Sequence, residues 1–393
     1  MGQRVTGGTH CLAGERQLSV GGTSRMNREV HVRICGRLGA KFPGPTRRPT
    51  KSYGEPIRGC SPRNLDTEKA QGPGPLLRRK RKMRVTGAAV RTKIVVQVLT
   101  CAAAGIEKTI LPQMFIRLGY DIEFEVPAPV AIVSMLSVHP SRASDLRAPD
   151  EIGIEPTVEV TSYLDGFGNR CSRFVAPPGT LRLRSATLIE DPGTPDPVSP
   201  NAREHPVGEL PNEALVYLLN SRYCEVDRLS NVATELFGAA SPGWGRVQAI
   251  CNWVNTKVTF GYQHAHPTRT ALDVFTDRVG VCRDYQHLAI AFCRSLNIPA
   301  RYCTGYLGDI GVPLTLPMDF SAWFEVYLDD RWWIFDARNN MPRIGRVLIA
   351  TGRDASDVAI TTSFGAAILT RFAVLAEETM GPLTAAPGKS TPA

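Results

Sequence analysis

The chain holds 10 cysteines in 393 residues, yet no two form a CxxC pair and none stands with histidines at zinc-ligand spacing. That absence argues against a zinc module and, with no secretion signal opening the chain, against a disulfide framework; the thiols read as independent and reduced, as in a cytoplasmic protein. Long apolar runs are missing too. The one candidate targeting stretch, residues 94–104 (IVVQVLTCAAA), contains Gln97 and is far shorter than the ~20 apolar residues that span a bilayer. It would serve as a signal core only if translation began near Met83, and Thr100-Cys101 makes a poor lipoprotein cleavage site. No GxxxxGK[ST] phosphate loop occurs, even in the small-residue-rich stretch NNMPRIGRVLIATGRDASDVAITTSFG, and no acidic loop has calcium-ligand spacing. No cofactor, metal or membrane partner is therefore expected.

The net charge of +9 suggests nucleic acid until it is split by position. Residues 1–113 hold 22 Lys and Arg against 6 Asp and Glu, and the remaining 280 residues hold 24 against 31. The basicity belongs to the first segment alone. That segment is rich in Gly, Arg and Pro and shows no apolar periodicity, so it should be a disordered extension. Three readings fit it: a solvated tail, an anion contact through RRKRK, or translated sequence ahead of a true start at Met114. The last is favoured because strand-like order begins almost at that methionine, and no specific nucleic-acid partner is expected.

From FIRLGYDIEFEVPAP onward, Leu118, Tyr120, Ile122 and Phe124 alternate with polar neighbours, the mark of a half-buried strand. Further strand-like runs at 131–138, 157–164, 173–176 and 180–188, with a DGFGN turn at 165–169, make residues 114–200 an antiparallel β domain, read as a sandwich. After the linker IEDPGTPDPVSP the period becomes helical at 213–219, 229–237 and 246–258. A helix from Cys282 and strands near 301–307, 321–328 and 332–336 follow, giving an α+β domain over 205–375 and a disordered tail over 376–393.

Cys282 opens the helix CRDYQHLAIAFCRSL shortly after Gly280. A thiol in a first helical turn faces unpaired N–H groups and the positive end of the macrodipole, which favour a thiolate. The alternative is one more buried small side chain, as expected for Cys251, Cys293 and Cys303. A cysteine nucleophile needs a base, and the base an orienting carboxylate. If Asp329 and Asp330 form the two-residue turn of the hairpin SAWFEVYLDDRWWIFDAR, Trp323 faces Asp336 and residue 321 lies diagonal to it, ~7–8 Å away between backbones. A histidine at 321 would reach that carboxylate; Ser321 cannot act as a base. His287 is turned about 140° from Cys282 around the helix, which leaves His264 and His266 in GYQHAHPTRT as other candidates. Trp323 and Trp333 could wall a substrate tunnel or simply fill the core. Arg283 and Asp284 should cap and solvate the helix start, and the loop at 308–319 reads as a lid or a surface connection.

The segments GVCRDYQHLAIAFCRSLNIPARYCTGYL and DFSAWFEVYLDDRWWIFDARN together resemble the core of bacterial transglutaminase-like proteins, which are similar to papain-like cysteine hydrolases. The resemblance spans roughly residues 114–375, the β domain included. It implies Cys282 as nucleophile and Asp336 as orienting acid, and it puts Ser321 where the family has its histidine. The implied chemistry is acyl transfer or hydrolysis through a Cys282 thioester on a peptide or protein amide. The departure at Ser321 implies instead a catalytically impaired relative that binds its partner, unless another histidine substitutes. The sequence sets no oligomeric state.

Overall fold

The computed structural model describes residues 114–379 apart from Leu316; the expectations for 1–113, and those for the tail past 379, lie outside the described residues. All described residues fall in one of the chain's two compact units. The first strand, β1 (Met114–Val126), follows from its alternation: Ile116, Leu118, Tyr120, Ile122, Phe124 and Val126 are buried, while Arg117 and Glu125 are exposed. Gly119 sits where a Cβ would come within 2.9 Å of the Ser185 carbonyl oxygen, so the close strand contact there admits no side chain. Then come β2 (Val130–Ser134), β3 (Gly153–Glu155), β4 (Thr161–Leu164), β5 (Arg170–Ala176) and β6 (Gly179–Asp191). The DGFGN turn closes the β4–β5 hairpin, with the Asp165 carboxylate accepting from the backbone N–H groups of Phe167 and Asn169.

The helical part comprises α1 (Asn212–Leu215), α2 (Val226–Phe237), α3 (Trp244–Lys257), α4 (Ala271–Asp277) and α5 (Cys282–Ser295), with the short parallel pair β7 (Thr259–Phe260) and β8 (Val279–Gly280) among them. Nearly every residue of α5 is buried, so it is the central helix around which the others pack. An antiparallel sheet of β9 (Ala300–Leu307), β10 (Ser321–Leu328), β11 (Arg331–Phe335) and β12 (Arg346–Gly352) lies against it in the order β11-β10-β9-β12. The hairpin pairing is the one its turn dictates: Leu328 faces Arg331, Val326 faces Trp333 and Phe324 faces Phe335. Asp329 and Asp330 both take positive φ, 44° and 61°, as a type I′ turn requires.

The last two strands, β13 (Thr361–Ser363) and β14 (Ile368–Thr379), return to the start of the chain. They complete two antiparallel sheets in the orders β13-β2-β5-β4 and β14-β1-β6-β3. The β sheets and the helical part share one apolar core, in which Ile122 and Phe174 belong to the same cluster as Phe292 and Val326. The fold is thus α+β with antiparallel sheets, as the sequence pattern predicts. Among the described residues, no helix is long and apolar enough to cross a membrane.

Candidate active site

Cys282 is the first residue of α5 and is 1% exposed. The chain around it is held from both sides. The Asp284 carboxylate reaches back to accept the Val281 N–H at 2.9 Å, filling one of the donor positions that a helix start leaves open. It occupies the space beside Gly280, where a Cβ would meet the Asp284 side chain at 2.7 Å, so the glycine makes room for this cap. The Gly261 N–H donates to the Gly280 carbonyl at 3.1 Å, and the Arg283 guanidinium donates to the His266 carbonyl at 2.5 Å. Residues 261–266 therefore run alongside the start of α5. Arg283 and Asp284 are buried rather than solvated, because this segment covers them. Burial pushes the Asp284 carboxyl up, against the pull of Arg283.

One turn further on, Gln286 lies on the face of α5 that Cys282 occupies. Its Nε2 donates to Asp336 Oδ1 at 3.0 Å and to the Ala322 carbonyl at 3.1 Å, while its Oε1 accepts the Ala337 N–H at 3.1 Å. A single buried carboxamide thus ties the Cys282 helix to β10, next to Ser321, and to the end of β11.

Asp336 is buried and accepts from five donors. Gln286 and the backbone N–H groups of Arg338 and Asn339 share Oδ1, each at 3.0 Å. Asn339 Nδ2 at 2.7 Å and Arg346 Nη2 at 3.0 Å share Oδ2. Burial by itself would push this carboxyl up; the Arg346 charge and the Asn339 hydrogen bonds outweigh it and hold the group below the usual carboxylate range. Arg346 also donates through Nε to Asp196 at 2.8 Å and lies over the Trp323 ring.

Ser321, the first residue of β10, pairs with Gly305 and opens onto a cleft of about 440 Å³. Tyr262, Phe320, Arg338 and Asn339 line the cleft together with residues of the 308–319 loop. That loop forms a wall of the cleft. Asp309 anchors it by accepting the Thr315 N–H at 2.6 Å and pairing with Arg343 at 3.0 Å.

The described histidines are spread over the fold. His287 is buried on another face of α5, where Nε2 accepts the Ala355 N–H at 3.1 Å and the ring stacks on Tyr223 at 5.0 Å. His139 meets Ser141 near β12, and His205 meets Tyr327 and Asp330 at the hairpin tip. His264 and His266 lie on the segment beside α5, with ring contacts to Gln263 and Thr268. Trp323 is fully buried beneath Arg346, and Trp333 packs edge-on against Trp244 at 5.7 Å; neither is among the residues lining the cleft. Gln286 joins the Cys282 helix to Asp336 and to Ala322, the residue after Ser321.

The sequence reading did not single out Gln286, Asn339, Arg346 or Tyr262. Gln286 was within reach of helical periodicity, four residues after Cys282. Arg346 left no sign, since it comes from a strand beyond the hairpin.

Residues 230–337 match the transglutaminase-like superfamily. A solved structure from Cytophaga hutchinsonii, described as a "putative cysteine protease", is 31% identical, superposes with a TM-score of 0.61, and is covered over 93% of its length by 69% of this chain. An uncharacterised protein of Mycobacterium leprae is 27% identical over 218 residues, 52% of this chain and 75% of the relative. One of Mycobacterium bovis is 26% identical over 220 residues, 49% of this chain and 68% of the relative. The chain belongs to the transglutaminase-like superfamily.

Proposed function

We propose that the protein is a cysteine-dependent acyl-transfer enzyme in which the Cys282 thiolate attacks the carbonyl of a peptide or protein amide. A C–S bond forms and the C–N bond breaks, the departing amine or ammonia taking its proton from water. The thioester is then resolved by an amine, giving a new amide, or by water, giving an acid. Backbone N–H groups at the start of α5, that of Cys282 among them, are the candidate donors to the oxyanion. The observation that carries the reading is the placement of Cys282 at the helix start, one turn from the carboxamide that binds Asp336. A reducing, cytoplasmic setting belongs to the same proposal, since it preserves the thiol.

A second reading, a binding protein of impaired catalysis, is favoured by Ser321 and by the five donors already on Asp336. A missing general base costs ~10²–10⁴-fold in rate. Alkylation tests the enzyme reading. Iodoacetamide at pH 7 should modify Cys282, at a helix start, faster than Cys251, Cys293 and Cys303, whose thiols burial pushes up, as read by peptide mapping. If Cys282 reacts no faster than those three, the enzyme reading is abandoned.

A further inference from the structure

Asn339 is held in one orientation by charge. Its Nδ2 sits 2.7 Å from Asp336 Oδ2, and its backbone N–H donates to Oδ1 of the same carboxylate. A carboxylate bound to Arg346 and kept ionised accepts only donors, so the amide of Asn339 cannot flip to present its oxygen there. The oxygen must point the other way. Asn339 lines the cleft beside Ser321 and Tyr262, and Oδ1 makes no hydrogen bond among the described residues. Among the acceptors in the cleft, Asn339 Oδ1 is therefore one whose orientation a buried ion pair fixes, and it lies beside Ser321.

We propose that Asn339 binds substrate: its Oδ1 accepts a hydrogen bond from an N–H of the amide in the cleft, so the site selects amides over esters of the same shape. The inference rests on the amide substrate proposed above occupying this cleft, whose lining includes Ser321 and Asn339 but not Cys282 itself. It gives Asp336 a different task from orienting a base. Here the carboxylate orients Asn339, and Asn339 orients the substrate. The side chain is held by its hydrogen bond to a carboxylate that also binds the Asn339 backbone N–H, so little freedom is lost on binding.

The test uses the full chain with Cys282→Ala, which removes turnover. Two probes are titrated by tryptophan fluorescence: an N-acetylated pentapeptide with a central glutamine, and the same peptide with the glutamine side chain as its γ-methyl ester. The expected result is that the amide binds ~3–10-fold more tightly, the worth of one neutral hydrogen bond, and that adding Asn339→Ala brings the ratio to about one. Asn339→Ser, whose hydroxyl can still donate to Asp336 but reaches less far into the cleft, should also lose the preference, which guards against a misfolded alanine variant. Asn340→Ala, altering a side chain bonded to Gln248 and Asn252 instead, should keep it. Equal binding of both probes before any change at 339, or an undiminished preference in both Asn339 variants, overturns the inference and leaves the proposed function standing. Binding of neither probe overturns the proposed function and this inference with it.

Discussion

Helix α5 turns two faces toward two buried carboxylates, and the faces divide between them what a cysteine hydrolase keeps together. One face carries Cys282 and Gln286, the latter bonded to Asp336. The other, turned about 140° away, carries His287. There the imidazole accepts from the Ala355 N–H and stacks on Tyr223, close to Asp354. That second face has a thiol as well. Cys224 donates to the His287 carbonyl at 3.6 Å, but burial pushes it up to about 12. The first face thus has a thiol and an acid with a serine at the position proposed for a base, while the second has an imidazole and an acid beside a thiol that does not ionise near neutral pH. Residue types alone do not make the chemistry; they must share a face and a solvent path.

The sharpest test of this division is to remove the acid on the Cys282 side. Asp336→Ala leaves buried Arg346 with only Asp196, and the loss should reach ~3–5 kcal/mol in urea unfolding, as expected when one partner of a buried ion pair is removed. A loss below ~1 kcal/mol would show that Asp336 is not the structural centre of its face.

On the His287 side the effect should appear as acid sensitivity. Burial would raise the Asp354 carboxyl, but His287 and the donors Ser221, Ser356 and Tyr223 lower it to about 2. A carboxyl depressed in the folded state stabilises the protein above its unfolded value and loses that contribution as pH falls through the folded one. Unfolding midpoints should therefore drop between about pH 4 and pH 2, with about 2 kcal/mol at stake, and Asp354→Asn should flatten the slope. An unchanged slope would break the assignment.

The smallest change tests whether the division can be undone. Ser321→His adds an imidazole at the cleft, yet Asp336 has no acceptor position to spare. Amide turnover should rise less than ~10-fold, short of the ~10²–10⁴ that an oriented base supplies. A larger gain would mean that the donors on Asp336 rearrange readily and that the two faces differ by one residue only.

Much of this was legible in the sequence because it depends on local periodicity. Alternation from Leu118 to Phe124 announced β1, the Asp329-Asp330 turn set the β10–β11 register, and the helix starting at Cys282 begins where its glycine and acidic cap permit. The site was legible in part for the same reason. The Cys282 position, the hairpin face of Asp336 and the displacement of His287 all follow from repeats of two or 3.6 residues. Arg346 was hidden because it reaches Asp336 from a strand that sequence pattern did not reveal. β12–β14 lack clean alternation, and two of them pair with strands more than two hundred residues earlier.

By itself, then, the sequence determined the kind of elements and the turn that aligns the hairpin. The tertiary structure decided what Asp336 does. A carboxylate's role is set by the donors that surround it, and those donors come from α5, from the segment after β11 and from β12, which only long-range packing brings to one point.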